Sequence, residues 1–550
     1  MPQDKPKNVD QSPVPGVEDL LGRIERLNAI GIALSSEDDV ERLLETILVG
    51  AMELTRADGG TLYAVQGDQL TFRILRNTTL GIAFGGASRI PPPLPPVAMH
   101  DADGGPNHHS VVAHAVLAGT TVNVPDAYHA QGFDFSGTRA FDERTGYHST
   151  SLLTVPMRDH EGQISGVLQL LNARRRDGVV GTFTAADQRL VESLASQAAT
   201  ALTKRELIAD QQALFESFIR LIADAIDDKS PYTGGHCRRV PELTMLLADA
   251  CQAAGEGPLA DFRMDAKDRY ELHIASWLHD CGKITTPEWV MDKATKLSRI
   301  HDRIELVAER INATAHAIEA EAWRRVADQG LAGTERLAVL DAAKQRRERL
   351  FADLAFLRRC NLGSEAMSPA DQERVQAIAC SVAPDADGTP RPLLTADEVR
   401  NLCIPRGTLL PEEREVINHH IVATLKMLES LPYPRHLRRV PEFAGGHHER
   451  MDGKGYPKGL TRAQMSVQAR IMGISDVFEA LTAGDRPYKK AMTLSQALAI
   501  LGKMKLDGHI DPDIFDVFIR SDVYRTYAER FLKPEQMDAV DPARIPGWPT

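Results

Sequence analysis

Residues 187–226 contain neither glycine nor proline, and apolar residues recur along them at alternating spacings of three and four. A seam of this kind predicts one long helix. The seam positions are Val191, Leu194, Ala198, Ala201, Arg205, Ile208, Gln212, Phe215, Ile219, Ile222 and Ile226. Two interpretations stay open: a single helix lying on one domain, and a parallel two-helix stalk that joins two copies of the chain. In both, the helix connects two parts of the chain whose patterns differ.

The part before this helix alternates apolar and polar residues in the manner of β-strands. Residues 60–85 alternate around a turn, and residues 151–173 have the pattern of a hairpin whose second strand is more continuously apolar. Helical patterns flank these segments. The sequence therefore predicts an α+β domain at residues 17–186, with an antiparallel sheet and flanking helices, after a disordered tail at residues 1–16.

After the long helix the pattern is almost wholly helical, with no alternating run longer than a few residues. We therefore predict an all-α bundle over residues 227–525 and a C-terminal tail over residues 526–550. A helical insertion at about residues 302–385 interrupts this bundle. Its first part, residues 302–360, is highly charged and is expected to project as an antiparallel helical hairpin without chemistry of its own.

The balance of charges and cysteines limits the kinds of ligand and compartment. The chain of 550 residues has a formal net charge of −12 and no visible basic face, which argues against a DNA or RNA duplex as ligand. A small anionic substrate held by local positive charge fits better. Six cysteines without a CxxC pair indicate reduced thiols. Because no signal-peptide core and no run of roughly 20 apolar residues is visible, we expect a cytoplasmic protein without a membrane span.

The helical part gathers residue types that ligate metal ions. His279 and Asp280 close an apolar helical pattern, and the pair His447-His448 precedes a glycine-rich turn. Asp476 lies within an apolar helical run, where a charged residue needs a partner that a metal ion can supply. The candidate ligands are His236, His279, Asp280, His420, His447, His448 and Asp476.

These residue types fit hydrolysis of a phosphodiester. Five imidazoles and two carboxylates suit two octahedral ions such as iron or manganese, whereas zinc favours four ligands and often thiolate. Two ions about 3.5–4 Å apart can share a bridging carboxylate, here Asp280, and can activate water at neutral pH. They also neutralise phosphoryl oxygens during in-line attack. Lys283, Arg486 and Lys489 are candidates to hold the non-bridging phosphate oxygens.

The segments that carry these residues resemble the HD-GYP family, a helical subgroup of the HD-domain phosphohydrolases. They are YTGGHCRRV (232–240), HDCGK (279–283), the stretch 412–420, HHERMDGKGYPKGL (447–460) and DVFEALTAGDRPYKKAM (476–492). The resemblance covers residues 215–525, approximately. It implies hydrolysis of cyclic di-GMP to linear pGpG, often on to GMP, at a bi- or trinuclear iron or manganese centre.

The resemblance also implies roles for single residues. It assigns metal ligation to the seven candidates above and catalytic roles to Asp280 and Lys283, of which Lys283 contacts phosphate and assists the leaving group. Substrate binding is implied for Lys283, Gly455, Tyr456, Pro457, Arg486 and Lys489. The chain departs from the family at two positions. Tyr232 stands where trinuclear members carry a glutamate, so we expect two ions, and Glu479 stands where an aspartate is usual.

The N-terminal domain resembles a GAF domain over about residues 20–205. The matching segments are TVNVPDAY (121–128), FDERTGYHSTSLLTVPM (141–157) and GVLQLLNA (166–173). The likeness is greatest to the GAF domains of cyclic-nucleotide phosphodiesterases and cyclases. It implies a sensor or dimerisation module in front of the catalytic domain, so we expect a homodimer.

The nucleotide-binding signature of such GAF domains, Asn-Lys-Phe-Asp-Glu, is only partly kept. Asn172, Phe183 and Asp187 match it, whereas Ala173 and Gln188 replace the lysine and the glutamate. A ligand sensor and a purely structural module both remain open. Four loop histidines are interpreted as solvated side chains: His108, His109, His114 and His129.

Three hypotheses of function follow. The first is a metal-dependent cyclic di-GMP phosphodiesterase that the GAF domain regulates through the 187–226 helix. The second keeps the enzyme but takes 3′,3′-cyclic GMP-AMP as its substrate, because the two ligands differ by one base. The third is a non-catalytic signalling protein that binds a cyclic dinucleotide. Degenerate members usually lose ligands or the GYP stretch, and this chain keeps both. A different HD-type phosphohydrolase, acting on cyclic mononucleotides or nucleotides, is a further alternative, and the DGKGYP segment argues against it.

Overall fold

The chain folds as two units, residues 1–214 and 215–550, and the boundary between them falls inside one helix. The computed structural model describes residues 15–37, 39–101, 103–175, 177–229, 235–363, 366–384, 390–484 and 491–548. None of the described helices is both long and apolar enough to cross a bilayer.

The first unit is built on an antiparallel sheet in the order β3-β2-β1-β7-β6-β5, with β4 paired to β2 and β8 to β7. Its elements are α1 (Pro15–Ser36), α2 (Val40–Thr55), β1 (Ala57–Gln66), β2 (Gln69–Asn77), β3 (Ile82–Phe84), β4 (Val97–Ala98), α3 (Val111–Ala118), β5 (Val122–Val124), α4 (Ser136–Thr145), β6 (Leu152–Arg158), β7 (Ile164–Arg174), β8 (Val180–Gly181) and α5 (Ala185–Lys229). The predicted α+β class, with an antiparallel sheet and flanking helices, is confirmed.

The core of this unit lies between the sheet and helices α2 and α5. Asp39 caps α2 by accepting bonds from the backbone N–H groups of Glu41 and Arg42. The apolar stripe of α2, including Leu44 and Ile47, is buried with Val191 and other residues of α5. Burial of these apolar faces holds the helices to the sheet.

A buried polar cluster, the Asp58 network, closes one end of the sheet. Asp58 accepts hydrogen bonds from the hydroxyls of Tyr147 (2.7 Å) and Thr79 (2.9 Å) and pairs with the guanidinium of Arg174 at 2.7 Å. Asn172 donates to the Tyr147 hydroxyl and to the backbone carbonyl of His148, and its own carbonyl accepts two backbone N–H bonds. Each carboxylate and amide oxygen in the network therefore has a partner within the unit.

The partial signature of the sequence has a different pairing in the structure. Asp187 forms an ion pair with Arg23 of α1 at 2.7 Å, and it also accepts bonds from the backbone and hydroxyl of Thr184 at the start of α5. The carboxylate of Asp187 is therefore paired with a cation from α1.

The second unit is largely helical, as predicted. Its elements are α6 (His236–Ala253), α7 (Ala266–Leu278), α8 (Glu288–Met291), α9 (Ile304–Asp328), α10 (Gly333–Asn361), α11 (Pro369–Ala379), β9 (Val382–Pro384), β10 (Pro390–Pro392), α12 (Ala396–Leu402), α13 (Pro411–Glu429), α14 (Val440–Gly445), α15 (Val467–Thr482), α16 (Leu494–Leu506), α17 (Pro512–Arg520) and α18 (Val523–Phe531). The three-residue strands β9 and β10 pair antiparallel and were not predicted, because runs this short carry too little alternation.

The described residues of this unit form two hydrophobic cores. The larger core joins α6, α7 and α14–α18 with the last part of α5. The smaller core belongs to the insertion, where α9 and α10 follow one another and pack together with α11 and α12. The predicted C-terminal tail, residues 526–550, begins too early. Tyr527 and Ala528 of α18 are fully buried in the larger core, so this helix belongs to the bundle.

The long helix predicted over residues 187–226 lies within α5. Its seam residues serve two cores: Val191 and Leu194 are buried in the first unit, and Ile219 and Ile226 in the second. The ends of the seam are therefore used for packing inside each unit. Which of the two interpretations of this helix holds stays a prediction.

Candidate metal centre

Helix ends and buried helix faces bring the seven candidate ligands together. His236 is the first residue of α6, and His279-Asp280 directly follow α7. His420 lies on the buried face of α13, and Asp476 lies on that of α15. The pair His447-His448 follows the short helix α14.

The ligand atoms form two groups that share one residue. The first group contains His236, His279, Asp280 and Asp476, and the second contains Asp280, His420, His447 and His448. Within each group, one ligand atom from every residue lies within 4.8 Å of the others.

The two carboxylate oxygens of Asp280 point to different groups. Oδ2 lies 3.1 Å from Nε2 of His236, while Oδ1 lies 3.3 Å from Nε2 of His420. On the first side, Oδ1 of Asp476 is 3.3 Å from the same His236 nitrogen. On the second side, Nε2 of His448 lies 3.2 Å from that of His420. This is the arrangement that a carboxylate bridging two ions requires.

Three of the histidines are oriented by the backbone in the same way. The Nδ1 atoms of His279, His420 and His447 each lie 2.6–2.7 Å from the carbonyl oxygen three residues earlier, and this geometry suits donation by an Nδ1–H group. Each Nε2 then carries a lone pair that faces the group. Metal-ligating histidines are oriented by second bonds of this kind.

Several atoms of the centre are buried without a hydrogen-bond partner among the described residues. They are Nε2 of His279, Nε2 of His447 and Oδ1 of Asp280. Burying such groups unpaired costs free energy of the order of 1–3 kcal/mol each. Because the three atoms converge and are all electron-pair donors, the residues present fit bound metal ions.

The segment after the double histidine folds back over the second group. The ring of Tyr456 stacks on His448 with centroids 4.8 Å apart, and its backbone N–H donates to the His448 carbonyl. A Cβ on Gly455 would lie 2.4 Å from the backbone nitrogen of Arg450, so only glycine permits this approach. Gly455 and Tyr456 therefore lie beside the centre, with Pro457 next in the chain.

Comparison with known proteins identifies the two units. A model of the HD domain matches residues 395–514, and a model of the GAF domain matches residues 39–202. The chain contains a GAF domain and an HD domain. The resemblance drawn from the sequence is confirmed to this extent. The HD match itself includes His420, His447, His448 and Asp476.

Three similar proteins are informative about the extent of the likeness. The 3′3′-cGAMP-specific phosphodiesterase 1 of Vibrio cholerae is 45% identical over 82 residues, which are 15% of this chain and 19% of that protein. A cyclic di-GMP phosphodiesterase of Pseudomonas aeruginosa is 43% identical over 75 residues, 14% of this chain and 17% of the relative. The chain thus spans less than a fifth of these relatives' length. The GAF domain structure of an Acinetobacter phosphoenolpyruvate-protein phosphotransferase covers 34% of this chain and 98% of its own, with 12% identity and a TM-score of 0.26.

The surroundings favour the charged form of the two candidate carboxylate ligands, Asp280 and Asp476. Burial acts to raise the pKa of Asp280, but Lys283 and His279 outweigh it and hold this pKa well below the usual range. Burial likewise opposes the low pKa of Asp476, which the bonds with His236 and His279 produce. The centre therefore concentrates negative charge where cations would bind.

The surroundings shift the pKa values of His279 in the first group and of His447 and His448 in the second group in opposite directions. Burial lowers the pKa of His279, yet Asp280 and Asp476 raise it to about 9. In the second group, burial lowers the pKa of His448 to about 4, with His420 acting in the same direction. Burial and the neighbouring imidazoles also depress the pKa of His447. Neutral imidazoles are the form that ligates metals.

Lys283 lies at the edge of the centre, where it is partly exposed. Its ammonium group contacts Oδ2 of Asp280 at 2.5 Å. Burial opposes the charge, but Asp280 and Asp476 outweigh it and raise the pKa of Lys283 above its ordinary value. A charged ammonium here can meet an anionic group that approaches from solvent.

Packing of backbone against backbone sets the distance between the two ligand-bearing segments. A Cβ on Gly282 would lie 2.0 Å from the carbonyl oxygen of His420 and 2.4 Å from the backbone nitrogen of Thr424. The N–H of Gly282 donates to the Thr424 hydroxyl at 2.9 Å. The turn after Asp280 therefore lies directly against α13.

Two carboxylates support the centre, and the sequence assigned neither of them this role. Glu479 was noted only as a departure from the family. Its carboxylate lies 2.5 Å from Nδ1 of His236 and accepts a bond from Arg239 at 2.7 Å, so it orients the first ligand. Glu449 is buried and accepts the backbone N–H groups of Lys458 and Leu460, which closes the loop over the centre. An acidic residue directly after the double histidine was the available signal.

Some predicted residues lie elsewhere or cannot be described. Tyr232, Arg486 and Lys489 fall outside the described residues. In the GAF domain, the Nδ1 atoms of His108 and His114 lie 3.0 Å apart. None of the four loop histidines belongs to a candidate metal group among the described residues.

Proposed function

We propose that this chain is a metal-dependent phosphodiesterase that hydrolyses a cyclic dinucleotide in its HD domain. The observation that carries the proposal is the pair of ligand groups that share Asp280, with converging buried atoms that have no partner among the described residues. The catalytic and substrate-binding roles given to single residues are part of this proposal.

The chemistry divides between the ions and the side chains. Two bound divalent ions would supply Lewis acidity and lower the pKa of water to about 7. Asp280 holds one oxygen in each group and fixes the spacing of the ligands. Lys283 offers its ammonium group to the phosphate and to the leaving oxygen. Tyr456, stacked on His448, forms one wall beside the phosphate position.

Iron or manganese is the proposed metal, with two ions per chain. Seven nitrogen and oxygen ligands without thiolate suit octahedral ions better than a closed tetrahedral zinc site. The described cysteines are not members of either group.

The proposed substrate is cyclic di-GMP, hydrolysed to linear pGpG and on to GMP. The name of the Pseudomonas relative supports this choice. The name of the Vibrio relative, which is 45% identical over its matched segment, supports 3′,3′-cyclic GMP-AMP as the second candidate. Both ligands present two phosphodiesters in one ring, so the same centre accommodates either.

The GAF domain is proposed to regulate the enzyme within a homodimer in the cytoplasm. Leu207, Leu214 and Leu221 recur at every seventh residue of α5, and their side chains are 57%, 59% and 63% exposed. A leucine heptad on an exposed helix face favours pairing with the same face of a second copy. The oligomeric state of the wild-type chain in solution, compared with that of Leu214→Glu, tests the proposed homodimer.

One assay tests the enzymatic proposal. Protein loaded anaerobically with iron or manganese is incubated with cyclic di-GMP, 3′,3′-cyclic GMP-AMP and cyclic di-AMP, and the products are separated by chromatography. We expect turnover of the first, with pGpG appearing before GMP. Faster turnover of the second ligand would reassign the substrate. Metal binding without turnover of any ligand would instead support the non-catalytic binding protein.

A further inference from the structure

The last turn of α5 contacts two segments that carry residues of the metal centre. Asp227 is buried, and its carboxylate accepts the backbone N–H of Gly235 at 2.9 Å and, more weakly, that of Cys237 at 3.4 Å. These N–H groups belong to the start of α6, whose first residue is the ligand His236. A carboxylate at this place satisfies donors that a helix N-terminus leaves unpaired.

Two residues further on, Lys229 contacts the second of these segments. Its ammonium group donates to the carbonyl oxygens of Ile284 and Thr286, the latter at 2.7 Å, and lies 3.4 Å from that of Lys283. These carbonyls end the short 3-10 helix Cys281–Thr285, which directly follows the ligand pair and carries Lys283. A cation is favourable at the carbonyl end of a helix.

A third contact ties the same helix to α6. Arg238 donates two bonds to Asp224 of α5, at 3.0 and 2.8 Å; the Arg238 side chain is largely exposed and that of Asp224 is partly exposed. This pair contributes little stability by itself because it is solvated. The buried carboxylate and the partly buried ammonium are therefore the stronger attachments.

We infer that Asp227 and Lys229 are positioning residues of the metal centre, through which the end of α5 sets the places of His236 and of the turn that carries Lys283. The inference rests on the proposed function and deepens it, because it names contacts through which the proposed regulatory helix would act on the centre. The first half of this helix, α5, belongs to the GAF core. A shift of its last turn would move one ligand and the phosphate-binding ammonium together. Neither residue touches the substrate or the ions.

The test uses the full-length protein and two readouts besides turnover. Asp227→Asn keeps the side-chain volume, and Lys229→Met keeps the length of the stem but removes the donor. Their matched controls are Asp228→Asn, on the adjacent exposed residue, and Lys267→Met, on an exposed lysine of α7. Amide hydrogen exchange followed by mass spectrometry reports on residues 235–240 and 281–287, and titration with Mn²⁺ reports on metal affinity.

The two variants are expected to give different signatures. Asp227→Asn should speed exchange at residues 235–240 and weaken the binding of one ion about 10-fold, as loss of a residue supporting a ligand does. Lys229→Met should speed exchange at residues 281–287, keep the metal stoichiometry and lower kcat with KM unchanged. Lys229→Arg, which restores a donor, should recover most of the kcat.

Three results would overturn the inference. The first is wild-type exchange and wild-type Mn²⁺ affinity in both variants. The second is faster exchange with metal affinity and kcat unaltered, which would leave the contacts with a structural role only. The third is an equal change in the control variants. Failure of the proposed function is distinguishable, since it would appear as absent metal binding or absent turnover in the wild-type protein itself.

Discussion

The Asp58 network of the GAF domain and the metal centre of the HD domain are both clusters of buried polar side chains, yet their atoms are partnered differently. In the network, Asp58 and Asn172 find all their partners inside the domain. In the centre, His279, His447 and Asp280 each keep a buried atom without a partner among the described residues. The polar atoms of the first arrangement are satisfied within the domain, whereas the second arrangement has donor atoms that fit a cation.

The largest effect is expected from removing the shared ligand. Asp280→Asn takes away the charge that both groups use, so turnover should fall by at least about 10²–10³-fold and metal content should drop at both groups. Turnover under saturating substrate and metal analysis of the purified protein measure this. Asp142 of the GAF domain is also a buried carboxylate that accepts hydrogen bonds from Tyr128 and Ser149, so Asp142→Asn is the matched change and should leave metal content unaltered. Normal turnover in Asp280→Asn would contradict the role of Asp280 as the ligand that both groups share.

The next largest effect is expected from removing the metal, which should change the stability of the metal centre and leave that of the Asp58 network unaltered. An ion present at 100 times its dissociation constant stabilises the folded state by about 2.7 kcal/mol. A chelator should therefore speed hydrogen exchange in segments 236–240 and 279–286 and leave segments around Asp58 and Asn172 unaltered. Equal changes in both domains would show that the centre is not where metal binds.

The network should respond to loss of one hydroxyl. Tyr147→Phe leaves Asp58 and Asn172 each with an unpaired polar group, at a cost of about 1–3 kcal/mol in the free energy of unfolding of the GAF domain. Chemical denaturation followed by a probe in the domain that carries each substitution measures the cost. Tyr433→Phe is the control, because the Tyr433 hydroxyl is buried without a partner among the described residues and its loss should cost little. A cost of similar size in both variants would contradict this account.

The smallest effect concerns the support of a single ligand. Glu479→Asp shortens the side chain that contacts His236 and Arg239, so one of the two ions should bind about 10-fold more weakly while the other is unaffected. Glu479→Gln keeps the length and isolates the contribution of the charge. Stepwise titration with Mn²⁺ distinguishes the two ions. Loss of affinity at both would mean that Glu479 supports the whole centre.

The sequence predicted elements and ligand types better than it predicted how they are supported. Alternation marked the strands of the sheet, and the chemical types of residues such as His279 and Asp476 marked candidate ligands, which the structure brings together. The orientation of His279 and His447 by carbonyl oxygens three residues earlier was not predicted, because it depends on backbone geometry at helix ends. The roles of Glu479 and Lys229 depend on contacts between segments distant in the chain.

The predicted start of the C-terminal tail shows the same limit, because it too depends on contacts between distant segments. The tail predicted from residue 526 proved to contain part of a core helix, because the amphipathic pattern of α18 is only nine residues long. Tyr527 is buried by residues from other helices, and a short pattern does not reveal such partners.

The close approach at Gly282 makes the separation between the two halves of the centre a property of the main chain. Because a single added methyl group would collide with the His420 carbonyl, any side chain at this position must push apart the segments that carry the candidate ligands. Such a side chain would increase the distance between the two ligand groups without altering any candidate ligand. Variants at Gly282 would then retain every donor atom and still lose the spacing on which joint action of two ions on one phosphate depends.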